Sequence, residues 1–237
     1  MKPIAVIQHS ALVGPGHFAS FLDVRKLPWR HIRIDQGDTV PEDPTVFSGI
    51  CLMGGEMSVN DDLPWIHAEL ELIRKAVKQG VPVIGHCLGG QLLSKALGGS
   101  VSRNPVREIG WGTVTCTDTP ASRAWLGDLG SFESFHWHGE TFSLPEGAEV
   151  LFGSSFCSNQ AFVIGPHLGM QCHVEMTESL IHSWADVWAN ELSDPDKPKP
   201  SIQDRTSMLA QTDEKLPHMR KVAERLYTHW LGQVQSF

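Results

Sequence analysis

A cysteine between glycines is the first feature of the sequence that could carry out chemistry. Residues 81–99 read VPVIGHCLGGQLLSKALGG, so an apolar run leads into Gly85, Cys87 and the pair Gly89 and Gly90, and a helical pattern follows. This order is typical of a nucleophile elbow, a sharp turn between a strand and a helix that exposes a reactive side chain at the carboxyl end of a sheet. Small neighbours are needed there because the turn is crowded.

A helix that begins directly after Cys87 would favour its thiolate, because free N–H groups and the helix dipole stabilise negative charge. The backbone N–H of Leu88 would then be placed to donate to an oxyanion that forms beside the sulfur. The alternative interpretation is a small buried apolar residue, as free cysteines often are. The local pattern alone does not separate the two.

A nucleophilic cysteine needs a base, and the segment MQCHVEMT at residues 170–177 contains the best candidate among twelve histidines. If this segment is extended, His173 and Glu175 lie on the same side. The carboxylate could then hold the imidazole in one tautomer while its other nitrogen faces the thiol. The alternative is an ordinary histidine at a strand end beside a solvated glutamate.

A third candidate element is ICLMGGEMS at residues 50–58, where an apolar run ends in Gly54 and Gly55. Backbone N–H groups at such a turn can complete an oxyanion hole, although a plain tight turn is the simpler interpretation.

Short apolar runs that alternate with helical patterns must position these residues. Strands are predicted at 3–8, 50–53, 81–84, 150–152, 161–164 and 168–172, and helices at 66–79 and 88–97. The alternation predicts an α/β fold with a mainly parallel central sheet flanked by helices. Residues 100–155 alternate like antiparallel strands, 193–201 form a polar, proline-rich loop, and the apolar spacing from Met219 to Trp230 predicts a C-terminal helix docked on the core.

Composition excludes several classes of function. The 237 residues carry a net charge of −8 and contain no basic run, so we expect no nucleic-acid partner. No apolar stretch is long enough to span a membrane, and the N-terminus lacks the features of a signal peptide. Five scattered cysteines without a CxxC pair favour a reduced, cytoplasmic setting over a disulfide framework.

Together the three motifs resemble the class I, triad-type glutamine amidotransferase family. The matching segments are Gly54-Gly55, GHCLGGQ at 85–91 and His-Val-Glu at 173–175, with a further match in FHWHGETFSLPEG at 135–147. The resemblance covers about residues 1–185 and implies a flavodoxin-like fold with a small antiparallel sub-sheet. Residues 186–237 would then be a C-terminal helical extension packed on the same domain.

The resemblance also implies roles for these residues. Cys87 would attack the side-chain amide carbon of glutamine, with His173 as the base and Glu175 orienting it. The N–H groups of Gly55 and Leu88 would hold the oxyanion. The substrate would contact Gln91, His136, Trp137 and His138, and no cofactor or metal is implied.

The chain departs from the usual family pattern, since Val174 replaces a proline and Cys172 replaces a common phenylalanine. The variant motifs resemble the stand-alone, GMP-synthase-like group. We find no phosphate-binding Gly-x-x-x-x-Gly-Lys-Ser/Thr loop. Ammonia released by the triad would therefore pass to a separate synthetase subunit.

Three alternatives remain at this point. The same triad could act as a γ-glutamyl peptidase on glutathione-like compounds, because both activities cleave a γ-glutamyl C–N bond. The fold could also serve as a binding or regulatory module without catalysis. A metal site around His136 and His138 is the third alternative, but the sequence shows no third ligand at zinc-type spacing. The oligomeric state is not determined by the sequence.

Overall fold

The computed structural model describes residues 2–234, which form a central sheet covered by helices. Within that range the strands lie in the order β2-β1-β3-β4-β9-β8-β7-β5-β6. The strands are β1 (Ile4–Gln8), β2 (Trp29–Arg33), β3 (Gly49–Leu52), β4 (Val83–His86), β5 (Val101–Cys116), β6 (Ser131–Phe142), β7 (Glu149–Ser154), β8 (Ala161–Ile164) and β9 (His167–Met170), and the α-helices are α1 (Gly16–Val24), α2 (Pro64–Lys78), α3 (Leu88–Ala96), α4 (Pro120–Leu126), α5 (Glu178–Val187), α6 (Arg205–Ala210) and α7 (Thr212–Gln233).

The first half of the sheet is parallel and carries helices on both faces. β1 pairs in parallel with β2 and β3, β3 with β4, and β4 with β9. Successive residues of β1 alternate between two apolar clusters, so that Ile4 and Val6 face α1, α4 and α7 while Ala5 and Ile7 face α2 and α3. The α/β prediction is confirmed, and the double burial explains why these strands are continuous apolar runs.

The second half of the sheet is antiparallel. β5 pairs with β6 and β7, β7 with β8, and β8 with β9. The β5–β6 ladder is long and shifts register between Arg103 and Glu108. Antiparallel pairing was expected for residues 100–155, but these strands continue the main sheet instead of forming a separate one. The connection is β9, which is parallel to β4 on one side and antiparallel to β8 on the other.

The topology places the candidate site at one edge of the sheet. Because β1, β3, β4 and β9 are parallel, the residues that follow their carboxyl ends lie along the same edge. His9 follows β1, the turn at Gly54 follows β3, Cys87 follows β4, and the segment that leads to His173 follows β9.

Residues beyond 185 are part of the same packed body. The expected boundary falls inside α5, and α7 buries Tyr227 and Trp230 completely. A Cβ on Gly49 of β3 would lie 2.8 Å from the Trp230 ring, which shows how closely α7 approaches the sheet. Ile202 forms a bridge with Ile109 of β5. The C-terminal segment therefore covers sheet that would otherwise be exposed.

Among the helices of residues 2–234, none is both long and apolar enough to cross a membrane.

Candidate active site

Cys87 sits in a strained turn between β4 and α3. Its φ is +49° and its ψ is −108°, a backbone conformation that non-glycine residues rarely adopt. The glycines on either side are required by space: a Cβ on Gly85 would lie 2.3 Å from the backbone of Gly89, and one on Gly89 would lie 2.2 Å from the carbonyl oxygen of Leu52. The start of α3 thus packs directly against the sheet and holds the turn in place.

The Cys87 side chain is 7% exposed and opens into a cavity. Its backbone N–H donates to the carbonyl of Met170 at 2.8 Å, which fixes the turn against β9. The Gln171 side-chain amide lies 3.5 Å from the sulfur and accepts a hydrogen bond from Gln91 at 3.1 Å. The Gln171 side chain therefore links Gln91 to the Cys87 sulfur.

His173 and Glu175 form a buried pair. His173 Nδ1 donates to Glu175 Oε1 at 2.6 Å. The local backbone is not the expected extended strand, because His173 makes a single bridge to Phe135 and Glu175 lies in a turn. The turn nevertheless brings the carboxylate to the imidazole. In the described part of the chain the other oxygen of Glu175 has no hydrogen-bond partner.

The electrostatics of this pair favour a charged imidazole. Burial alone would lower the pKa of His173, but the negative charges of Glu175 and Cys87 and the hydrogen bonds to both raise that pKa to about 10. Burial would likewise raise the pKa of Glu175, but the nearby His173 and His86 hold it below its usual value. A protonated imidazole beside the sulfur stabilises a thiolate.

The turn at Gly54 touches both members of the Cys–His pair. A Cβ on Gly54 would lie 3.2 Å from His173 Cε1 and 3.5 Å from Cys87 Cβ. Side chains that are 86 positions apart in sequence therefore flank one point in space. Cys87, His173 and Glu175 thus lie together in the order that a nucleophile, a base and an orienting carboxylate would need.

Gly55 and Leu88 lie side by side at this point. A Cβ on Gly55 would lie 2.9 Å from Leu88 Cδ2. Leu88 is the first residue of α3, so its N–H has no partner within the helix. The structure brings together the two residues that were expected to supply oxyanion N–H groups.

A second buried pair, which the sequence did not predict, holds the backbone just before the Gly54 turn. His9 Nδ1 donates to the carbonyl of Met53 at 2.9 Å, and its Nε2 faces both carboxylate oxygens of Glu69 at 2.9 and 3.0 Å. Burial would lower the pKa of His9, but the Glu69 charge raises it. His9 follows β1 directly, and that position was the one signal that could have identified it.

The cavity in front of Cys87 has a volume of about 380 Å³, within the size range of small-molecule sites. Of the residues expected at the substrate, Gln91, Trp137 and His138 line it, and His136 does not. Its walls combine aromatic and charged side chains: Val13, Gly55, Glu56, Met57, Ser58, Cys87, Gln91, Arg107, Trp137, His138, Gly139, Glu140, His173, Trp184, Trp188 and Glu191.

The charged wall is internally paired. Arg107 donates to Glu191 at 2.6 Å, and the Trp137 indole N–H donates to the same Glu191 oxygen at 2.8 Å. Elsewhere in the lining the Ser58 hydroxyl donates to Glu140 at 2.9 Å. A guanidinium and carboxylates therefore line the cavity, each held by a neighbouring side chain.

His136 turns away from the cavity because its ring packs on the neighbouring strand. Its Nε2 donates to the carbonyl of Gly112 at 3.3 Å. Burial lowers the pKa of His136 to about 4, so the ring is neutral. The substrate contact expected of His136 stays a prediction that its position outside the cavity lining does not support, whereas Trp137 and His138 line the cavity.

A comparison with protein-family models decides the identity. The model described as glutamine amidotransferase class-I matches residues 25–183, about two thirds of the chain. The chain belongs to the class I glutamine amidotransferase family. This family consists of cysteine-dependent amide hydrolases and transferases, so the protein is an enzyme by family.

The fold of this amidotransferase matches a solved structure along its whole length. The glutamine amido transferase from Methylobacillus flagellatus superposes with a TM-score of 0.95 at 42% identity, covering 100% of this chain and 97% of that one. Among curated proteins, the glutamine amidotransferase-like protein YfeJ of Salmonella typhimurium is 29% identical over 79% of this chain and 82% of its own length.

Two further relatives carry names that bear on the reaction. Gamma-glutamyl peptidase 3 of Arabidopsis thaliana is 26% identical over 67% of each chain. The GMP synthase of Lactobacillus acidophilus is 34% identical over 55% of this amidotransferase but only 25% of its own length. Most of that GMP synthase thus has no counterpart in this alignment.

Proposed function

We propose that this amidotransferase hydrolyses the side-chain amide of glutamine to glutamate and ammonia through Cys87, His173 and Glu175. The observation that carries the proposal is the meeting of a strained cysteine elbow with a buried imidazole–carboxylate pair at the Gly54 turn. This is the arrangement that cysteine-based acyl transfer requires.

In the proposed reaction the Cys87 thiolate attacks the amide carbon, and the N–H groups of Gly55 and Leu88 hold the resulting oxyanion. The imidazolium of His173 gives its proton to the departing nitrogen, the C–N bond breaks, and a γ-glutamyl thioester remains. Water then gives a proton to His173 as its oxygen attacks the thioester. Glutamate leaves, and the thiolate–imidazolium pair is restored.

Gln91, Trp137 and His138 are proposed to contact the substrate, because each lines the cavity. Arg107 and Glu140 are suited to its α-carboxylate and α-ammonium groups by charge. In the glutamine reaction, ammonia would pass to a separate synthetase subunit, in keeping with the partial match to a GMP synthase.

The second candidate is a γ-glutamyl peptidase. The cavity wall carries Trp137, Trp184, Trp188 and Met57, an apolar surface that ammonia as a leaving group does not need. The similarity to a γ-glutamyl peptidase over two thirds of both chains favours the same candidate. Both reactions use the same nucleophile and the same thioester, so only the leaving group distinguishes them.

A substrate panel tests the assignment. Glutamate release is measured from glutamine and from a γ-glutamyl dipeptide, with the wild type and with Cys87→Ser. Release from glutamine that the substitution lowers by at least about 10³-fold supports the proposal. Release from the dipeptide alone replaces it with the second candidate.

Thiol labelling with a glutamine-like electrophile tests the nucleophile separately. We expect the label on Cys87, and Cys116→Ser is the matched control because Cys116 is a partly exposed thiol that does not line the cavity. Labelling that Cys116→Ser abolishes, or full activity of Cys87→Ala, would contradict the mechanism.

A further inference from the structure

A cluster of possible metal ligands lies beside the cavity and takes no part in the triad. Glu108 on β5 is directly opposite His138 on β6. His136 lies two residues before His138 on β6, opposite Gly110. One ligand atom from each of the three side chains lies within 4.8 Å of the other two. All three residues are buried.

Both imidazoles are held by a backbone carbonyl through one nitrogen. His138 Nδ1 donates to the carbonyl of Glu140 at 2.9 Å, and His136 Nε2 donates to that of Gly112 at 3.3 Å. Histidines that bind metals are usually oriented in this way, because the hydrogen bond fixes the ring and directs the other nitrogen to the metal. His136 Nδ1 is left without a partner among residues 2–234, whereas His138 Nε2 faces Glu108 Oε2 at 3.0 Å and lies 3.3 Å from the Gln160 amide nitrogen, which would turn aside for a cation.

His136 Nδ1 is the observation that points to a ligand. The Cδ2–Nε2 edge of the ring lies against Gly112, where a Cβ would be 3.0 and 3.2 Å from these two atoms. Nδ1 is therefore on the other side of the ring. It is buried and has no hydrogen-bond partner among residues 2–234. An orphaned buried nitrogen is costly unless something binds it.

Glu108 is oriented by neighbours that leave it able to coordinate. The Ser154 hydroxyl donates to Oε1 at 2.7 Å, and the Gln160 amide donates to Oε2 at 2.7 Å. Oε2 lies 3.0 Å from His138 Nε2. Two ligands of a tetrahedral zinc ion are separated by ~3.3 Å when each bond is ~2.0–2.1 Å long, so a cation fits between them after a small adjustment.

We propose that Glu108, His136 and His138 form a binding site for a divalent cation of the zinc class. Two imidazole nitrogens and one carboxylate favour zinc or cobalt over magnesium or calcium, which prefer oxygen ligands. The cation would lie between His138 Nε2 and Glu108 Oε2, and a proton carried by Nε2 in the metal-free protein would leave to solvent. Three protein ligands leave one coordination position open.

The site would tie β5 to β6 at the edge of the cavity. His138 lines the cavity itself, so a bound cation would fix one wall of the substrate site. The proposal does not depend on the reaction assigned to Cys87, because its evidence lies in other side chains.

Metal binding is tested in the Cys87→Ser protein, which removes the catalytic thiol as a competing ligand. The protein is stripped with a chelator and titrated with zinc, and bound metal is counted by elemental analysis. We expect one zinc per chain, with an affinity that His136→Gln lowers by at least about tenfold. The matched control is His67→Gln, an exposed histidine outside the cluster, which should bind zinc like its parent.

Cobalt supplies a second readout that does not depend on stability. We expect visible bands of a nitrogen- and oxygen-ligated cobalt ion without the charge-transfer band of a thiolate, and we expect His136→Gln to remove them while circular dichroism stays unchanged. Absence of stoichiometric binding, or binding that His136→Gln leaves intact, would overturn the proposal. Should both results occur as expected, the cluster is a metal site and not only a buried ion pair.

Discussion

At the scale of single residues, Cys87 shows how the fold stores strain at its reactive centre. A non-glycine residue in so rare a backbone conformation costs about 1–3 kcal/mol, and the close packing of α3 on the sheet keeps it there. The same geometry places the sulfur at the start of a helix and beside His173. The strain and the reactivity therefore have one structural cause.

Glu175→Gln tests how the carboxylate acts on His173. Without the negative charge the pKa of His173 should fall from its raised value of about 10. The imidazolium proposed to protonate the leaving group would then lose its proton at a lower pH than in the wild type. We expect the alkaline limb of kcat/KM against pH to move toward acid, and kcat to fall on the order of 10²–10⁴-fold.

The measurement is kcat/KM and kcat against pH for the wild type and for Glu175→Gln. Glu178→Gln is the control, because this exposed carboxylate begins α5 close by in sequence. A Glu175→Gln enzyme whose alkaline limb coincides with that of the wild type would show that the carboxylate does not set the charge of His173.

At the scale of secondary structure elements, the turn after β3 depends on a pair from β1 and α2. His9 holds the carbonyl of Met53, and Glu69 holds His9. Since this turn carries Gly55, a shift in it would move the proposed oxyanion donor. We therefore expect His9 and Glu69 to act as positioning residues, because neither side chain lines the cavity.

Glu69→Gln should lower kcat on the order of tenfold with little change in KM, because the turn matters more to the oxyanion than to the bound substrate. Steady-state kinetics with the substrate that the panel identifies measure kcat and KM separately. Glu71→Gln is the matched control, since Glu71 lies on the same helix and is exposed. A rise in KM with kcat unchanged would count against this role.

The two parallel strands β4 and β9 are joined at their beginnings by His167. The Val83 N–H donates to His167 Nδ1 at 3.1 Å, and burial lowers the pKa of His167 to about 4. The unfolded chain takes up a proton near pH 6.5, whereas the folded chain does not until about pH 4. The stability from this group is therefore complete above pH 6.5 and is lost as pH falls toward 4.

His167→Asn keeps an acceptor for Val83 but removes the titration. We expect the free energy of unfolding of the wild type to lose about 2 kcal/mol more than that of the variant between pH 7 and pH 5. Urea unfolding at both pH values measures the difference, with His182→Asn as an exposed control. Parallel pH curves for the wild type and His167→Asn would contradict the assignment.

Element patterns explain which parts could be predicted. The strand at Ala161–Ile164 was placed correctly, and β1, β3 and β4 to within a residue or two, because burial on both faces makes them apolar runs. β2 was missed, since it pairs only with β1 and only its Ile32 is buried. A strand of this kind has no clear apolar pattern.

Sites that depend on register could not be predicted in the same way. Cys87, Gly55 and His173 carry local motifs, so the resemblance found them. Glu108 is 30 positions from His138, and only the β5–β6 register after the bulge places them opposite each other. His9 and Glu69 are 60 positions apart and meet only because α2 packs on the sheet. No local sequence pattern predicts a contact between residues so far apart in the chain.

At the scale of the whole molecule, α7 connects the C-terminal segment to the active site. Tyr227 Oη lies 3.1 Å from His86 Nε2, and His86 directly precedes Cys87. Trp230 packs on β3 and against Phe18 of α1. Because these contacts span both ends of the chain, we expect residues 2–234 to unfold as one cooperative unit, without a separate transition for the segment after 185.

Trp230→Ala tests this cooperativity. Loss of so large a buried side chain should cost about 3–5 kcal/mol, while Thr228→Ala, an exposed change on the same helix, should stay within about 0.5 kcal/mol of the wild type. Urea unfolding is followed by circular dichroism and, in parallel, by reaction of Cys87 with the glutamine-like electrophile. In a single cooperative unit both curves shift together to lower urea, because the elbow cannot keep its geometry once α7 leaves the sheet. If Trp230→Ala instead melted α7 first and left Cys87 reactive with its native selectivity, the segment after 185 would be an appendage and the first 185 residues a domain of their own.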